Sequence, residues 1–418
     1  MFLLVYLLLL FAVGLPYMIV EISVGRASRR SLAGVFEKLG EKNNGFRRHK
    51  YWMMLGNYLL MSFYGLVTGW LLYYAVQTAI GGFGESLTEA QANVIFENLM
   101  ADPVTMGIYM IICSAIAFVV VSMGVSKGVE RITKPMMIVL FAMLILMVVN
   151  AFFMDGFVEG ISYYLVPDFS RIEKAGIVSI VWAAMSQAFF TLSLGSGVIQ
   201  IFGTYASKDH TVVSDSLMIA GLDTMVAVLA GFVVFPICFT FGVEPSSGPG
   251  LLFISLNTVF SNMAGGRILG MVFFVFMLFA AMTTLIGDYE SVIAIASELF
   301  GISRKRSVIY NFLVITAMAV PVVLGYNLLD FIHPLGGEST ILDLQDFLVS
   351  NNFLPLGAVV FMLFVTWRGG MKWKDFIAEV NTGKGIKLPA GLLWYFRYVL
   401  PLIVLCVFVA GYIQFFNS

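Results

Sequence analysis

The chain has 418 residues, 60% of them apolar and only 12% charged, with a mean hydropathy of +0.92. Soluble domains are about 45–50% apolar and about 25% charged, so this composition argues against a water-soluble globule, and 38 Phe, 17 Tyr and 24 Met argue against a disordered chain. With 24 Lys and Arg against 25 Asp and Glu, the net charge of −1 leaves no basic surface for nucleic acid. What remains is an all-α, polytopic membrane protein whose solvent is the lipid bilayer.

A membrane-crossing helix needs about 20 apolar residues. In chain order the qualifying runs are 2–25, 52–78, 105–124, 135–154, 178–203, 214–242, 268–299, 307–326, 346–367 and 393–415, which predicts ten helices. A shorter apolar stretch, Leu251 to Met263, lies between Gly-Pro-Gly at 248–250 and the Gly265-Gly266 pair, and reads as a re-entrant or interfacial lid. Twenty of the 24 basic residues fall in alternate connectors: Arg26–Lys50, Lys127–Lys134, Lys208, Arg304–Arg306 and Arg368–Lys387. By the positive-inside rule these are cytoplasmic. The intervening connectors carry the acids Glu85, Glu89, Glu97 and Asp102, then Asp155, Glu159 and Asp168, then Asp330, Glu338 and Asp343. Both termini are then outside. The first run starts at Met1-Phe2 with no basic leader, and residues upstream of Met1 are expected in the natural protein. Cys113, Cys238 and Cys406 sit inside apolar runs as packing residues, and His49, His210 and His333 show no ligand spacing.

Two runs carry polar interruptions. In 178–203 the sequence Gln187-Ala188-Phe189-Phe190-Thr191-Leu192-Ser193-Leu194-Gly195-Ser196-Gly197 places glycines and serines in mid-membrane. Irregular backbone at that depth is tolerated only where it lines a cavity or is buried in protein, and a broken helix offers free N–H and C=O groups to a ligand. Close packing through small residues is the equal alternative. In 268–299, Ala280, Thr283 and Thr284 precede Asp288 and Glu290. Hydroxyls near a carbonyl suit a hard cation, although back-bonding within the helix is the commoner use. Asp288 and Asp223 are ionisable groups within spans and are functional candidates for that reason. Glu21 lies near the cytoplasmic end of the first run, with Arg26 as its nearby partner.

These residues together resemble the neurotransmitter:sodium symporters, secondary amino-acid transporters with the leucine-transporter fold. The resemblance rests on Gly14-Leu15-Pro16…Glu21…Gly25-Arg26, Tyr64…Gly69-Trp70, Lys127-Gly128-Val129-Glu130, Phe189-Phe190-Thr191-Leu192-Ser193-Leu194-Gly195 and Ala280…Thr283-Thr284, in that order. It covers the whole chain, from the family's second helix to its eleventh. It implies one transporter domain over 1–418, an inverted-repeat bundle with a first, incomplete repeat over about 1–170, a second over about 171–370, and a last helix at 393–415. By residue, it implies that Tyr64 holds the substrate carboxylate, that Phe190 is the lid, and that the Ser193–Gly197 backbone receives the amino group. It further implies that Thr191 and Asp223 hold a first sodium ion, and that Ala280, Thr283 and Thr284 are half of a second sodium site. Asp346 is the acidic member of an outer gate, and Leu251–Met263 the extracellular lid.

Departures from the family pattern add expectations. Asp223 stands where Asn is common and Ala227 where chloride-dependent members have Ser, so the Asp223 carboxylate replaces the anion and chloride is not required. Asp288 and Ser196, with Leu60 and Thr284, suggest a side-chain pocket that admits a polar or cationic group. The family's first helix has no counterpart here, which leaves the sodium shells and the gate half-built in the chain as written. The expected function is sodium-coupled symport of an amino acid or related amine by alternating access, in a bacterial inner membrane. The chain shows no nucleophile, base pair or cofactor motif. The rivals are an ion channel, which would need a continuous polar stripe, and a non-transporting fragment.

Overall fold

The computed structural model describes residues 2–42, 44–84, 86–167, 176–243, 248–263 and 265–417. Glu85, Asp168 and the expected repeat boundary near 170 lie outside the described residues. In chain order the helices are α1 (Phe2–Ser28), α2 (Leu32–Leu39), α3 (His49–Ile80), α4 (Glu89–Ala101), α5 (Pro103–Ser122), α6 (Glu130–Ala151), α7 (Phe157–Leu165), α8 (Ile177–Thr191) and α9 (Val198–Tyr205). They continue as α10 (Val212–Phe241), α11 (Leu251–Asn262), α12 (Gly266–Phe300), α13 (Arg304–Leu324), α14 (Ile341–Thr366), α15 (Trp373–Val380) and α16 (Ala390–Phe416).

Among the described residues, nine helices are long and apolar enough to cross a membrane. They match nine of the ten predicted spans. The tenth, 178–203, is present as two pieces, α8 and α9, separated by the Leu192–Gly197 segment. Chain chemistry sets the helix ends. Asp102 caps α5 by accepting the Val104 and Thr105 N–H groups at 3.0 and 3.1 Å, with Pro103 as the first helical residue, where a missing N–H costs nothing. Those bonds and the Thr105 hydroxyl hold the Asp102 carboxyl below its ordinary range. Thr340 with Asp343 and Thr88 with Gln91 form reciprocal capping boxes for α14 and α4.

Three spans contain a widened helical turn immediately before a proline: Leu10–Gly14 before Leu15-Pro16, Val349–Phe353 before Leu354-Pro355, and Tyr395–Val399 before Leu400-Pro401. Proline cannot donate to the preceding turn and its ring clashes with the carbonyl there, so a wider turn lets the helix continue past it.

Connector contacts sort into the two sets expected from charge. Arg26 and Lys208 both meet Glu379, Arg29 donates to the Thr204 carbonyl, and Arg304 reaches the Val121 carbonyl at the end of α5, so the basic connectors touch one another. The other set is joined by Arg267 to Ala79 O, Asn262 to Leu87 O, Asn327 to Met100 O and Gly156 to Thr240. Between these faces, α3 and α12 pack along each other at the centre of the bundle. Trp70 and Tyr74 of α3 meet Phe253 of α11, which also stacks on Phe96 and Phe274. The predicted lid is therefore a buried plug of α11 rings: Phe253 is 1% exposed. Its burial against four aromatic neighbours anchors the acidic-connector face over the bundle.

Candidate functional site

The break between α8 and α9 is built by backbone that ordinary residues resist. Ser193, Gly195 and Gly197 have φ of 50°, 78° and 80°. The left-handed region costs a non-glycine residue roughly 1–2 kcal/mol, a cost Ser193 bears and the two glycines avoid. Gly195 is also sterically required. A Cβ there would collide with the Leu354 carbonyl and lie 2.7 Å from the Ala358 nitrogen of α14.

Freed main-chain groups need partners at this depth, and other helices supply them. Glu21 of α1 accepts the Gly195 N–H at 2.6 Å, and Asn57 of α3 donates to the Ser196 carbonyl at 2.8 Å. Ser196 Oγ donates to Ser193 O at 2.9 Å and accepts the Val198 N–H at 3.2 Å, which starts α9. The expected Glu21–Arg26 pairing is corrected. Residues five apart on a helix are rotated by about 140°, so the two side chains leave α1 on different faces. Glu21 turns inward to the break, and Arg26 forms an ion pair with Glu379 at 2.7 Å while also bonding the Glu379 and His210 carbonyls. Both side chains are fully buried.

A narrow cavity of about 30 Å³ adjoins the break, lined by Leu60 and Tyr64 of α3, Phe190, Ser193 and Ser196 of the broken segment, Thr284 and Asp288 of α12, and Leu354 of α14. Seven of these eight are predicted substrate-site residues; Leu354 is the addition. Gly195, the remaining predicted residue, does not line it and faces α14 instead.

The predicted sodium ligands fall in two places. Thr191 and Asp223 both lie close to Tyr6 of α1. Gln187 Nε2 donates to Thr191 Oγ1 at 3.1 Å, while Asp223 Oδ2 and Thr224 Oγ1 are buried with no hydrogen-bond partner among the described residues. Orphaned oxygens of this kind suit a hard cation. On α12, Thr283 Oγ1 and Thr284 Oγ1 donate to the Ala280 carbonyl at 2.8 and 3.3 Å, which gathers three oxygens but also satisfies them within the helix. Asp346 of α14 accepts the Ser350 hydroxyl at 2.8 Å. Tyr6, Asn57, Thr224 and Leu354 escaped sequence reasoning. Nothing local distinguishes them from ordinary helix residues, and only the fold brings them to the break.

A helix broken at mid-bundle, with a cavity at the break, fits a secondary-transporter architecture. The comparisons agree. The model of the sodium:neurotransmitter symporter family matches residues 1–93 and 91–418, and the chain belongs to that family. It is 30% identical to the uncharacterized sodium-dependent transporter YhdH of Bacillus subtilis across 98% of this chain and 89% of that protein. It is 24% identical to the sodium-dependent serotonin transporter of Drosophila melanogaster across 98% and 70%. The solved structure of MhsT in complex with L-phenylalanine superposes with a TM-score of 0.88 at 32% identity, covering 98% of this chain and 91% of that one. The chain is a multi-pass membrane symporter that uses sodium, in a family of transporters.

Proposed function

We propose that the chain carries a free amino acid inward with sodium across a bacterial inner membrane, with its α-carboxylate and α-amino groups held at the α8–α9 break. In this reading Tyr64 donates its hydroxyl to the carboxylate, the Ser193–Gly197 main chain receives the amino group, and Phe190 covers the ligand. One sodium ion sits among Thr191 and Asp223, and a second against the Ala280 carbonyl, Thr283 and Thr284. Asp346 belongs to the outer gate. The Thr191–Asp223 site adjoins the break and Thr284 of the second site lines the substrate cavity, so either ligand pre-organises the other's site and the two bind cooperatively. Inward sodium movement supplies about 2.3 kcal/mol per charge per 100 mV before its concentration term. The two repeats, about 1–170 and 171–370, rock around the fixed site.

The observation that carries this reading is the convergence of Leu60, Tyr64, Phe190, Ser193, Ser196, Thr284 and Asp288 on one cavity at the break. The amino acid bound by MhsT supports the substrate class. Chloride is not needed, because the Asp223 carboxylate lies where an anion would otherwise balance sodium. The test is uptake of labelled amino acids by proteoliposomes. We expect accumulation under an inward sodium gradient, none with potassium, and no change when gluconate replaces chloride. Uptake that ignores sodium would refute the coupling, and uptake that collapses without chloride would refute the role of Asp223.

A further inference from the structure

Three acids are buried in the interior of the bundle around the site, and two of them have partners. Glu21 accepts the Gly195 N–H. Glu290, with no exposed side-chain surface, pairs with Arg304 through both guanidinium nitrogens and accepts the Tyr205 hydroxyl at 3.2 Å. The third, Asp288, is 4% exposed and has no hydrogen-bond donor or cation among the described residues. It stands one helical turn from Thr284 on the cavity wall, which Leu60, Tyr64, Phe190, Ser193, Ser196 and Leu354 complete. Arg26 and Arg304 are already committed, to Glu379 and Glu290.

A carboxylate buried among neutral side chains and hydroxyls is costly unless something in the cavity neutralises it. An aliphatic ligand side chain would press methylenes onto Asp288 and remove its remaining hydration. An ammonium group would pair with it in a low dielectric, where the attraction is strongest.

Resting on the symport reading above, we infer that Asp288 makes this transporter selective for amino acids with a cationic side chain. The α-groups of the substrate stay at the break and the second ammonium group pairs with Asp288.

The test is inhibition of sodium-driven uptake in proteoliposomes by isosteric pairs, 2,4-diaminobutyrate against norvaline and ornithine against norleucine, for the full chain and for Asp288→Asn and Asp288→Leu. The wild type is expected to favour the cationic member of each pair by about tenfold or more. Asp288→Asn is expected to remove the gap and Asp288→Leu to reverse it, with sodium dependence retained in both. If the neutral isostere competes as well as the cation in the wild type, the inference is overturned even if neither variant folds. It is also overturned if the gap survives in Asp288→Asn, or if that variant loses its response to sodium while keeping its ranking. Failure of every amino acid to inhibit or be taken up would instead strike the symport reading, and this inference with it.

Discussion

The two polar stretches of the membrane interior, Leu192–Gly197 and Ala280–Glu290, both carry adjacent or near-adjacent hydroxyls, but the first packs two glycines into six residues and the second one into eleven, and their conformations are opposite. The first breaks its helix; the second runs unbroken through α12 from Gly266 to Phe300. In α12 the Thr283 and Thr284 hydroxyls are absorbed by the Ala280 carbonyl one turn back, so the helix meets its own polar demand. At the break the demand is met from outside, by Glu21 and Asn57. Two kinds of site result: main-chain dipoles at the break, and side chains on a rigid helix face beside it.

The comparison can be broken most directly at Gly195. Gly195→Ala requires a left-handed φ and drives a methyl into the α14 backbone, and overpacking of this kind plus the conformational cost comes to about 3 kcal/mol or more. We expect loss of monodisperse protein in size-exclusion chromatography. On the rigid side, Arg304→Met leaves Glu290 buried without its cation, worth roughly 3 kcal/mol. A lowered melting temperature that is partly restored in the Arg304→Met, Glu290→Gln double variant is the expected outcome.

Glu21→Ala removes the acceptor for the Gly195 N–H, and leaving that buried donor unsatisfied costs about 1–3 kcal/mol. Substrate affinity is expected to fall by at least tenfold in a scintillation binding assay, with most of it recovered in Glu21→Gln, which keeps an acceptor oxygen. Equal affinities in all three proteins would mean that the carboxylate does not support the break. Thr283→Val sharpens the distinction on α12. A sodium ligand predicts a half-saturating sodium concentration raised by about tenfold, or 1.4 kcal/mol, whereas a hydroxyl used only for back-bonding leaves that value unchanged. Lys134→Ala is the low end of the scale. Its exposed i,i+4 pair with Glu130 is worth at most about 0.5 kcal/mol, and neither stability nor uptake should move measurably.

Part of the site was legible before folding because intramembrane acids and a glycine- and serine-rich interruption stand out, and part, Tyr64 and Phe190 above all, only through the resemblance to the symporter family. Tyr64, Phe190, Ser193, Ser196, Thr284 and Asp288 were all named from the sequence and all line the cavity. Glu21 was noticed for the same reason but given the wrong partner, since adjacency in sequence suggested Arg26 while helix rotation separates them. Arg26 instead reaches Glu379, 353 positions away. Tyr6, Asn57 and Leu354 were silent: a tyrosine, an asparagine and a leucine at helix positions carry no message until the helices are packed.

Composition and hydropathy alone determined that the chain crosses a membrane, how many times, and which connectors share a face, because hydrocarbon imposes one rule on every residue it touches. The place of the helix break was legible too, since glycine tolerates backbone that other residues resist. Which groups satisfy that break, which acid is left without a partner, and which glycine packs rather than binds were decided only by tertiary structure. Those outcomes depend on distances between helices remote in sequence, and no local periodicity encodes them.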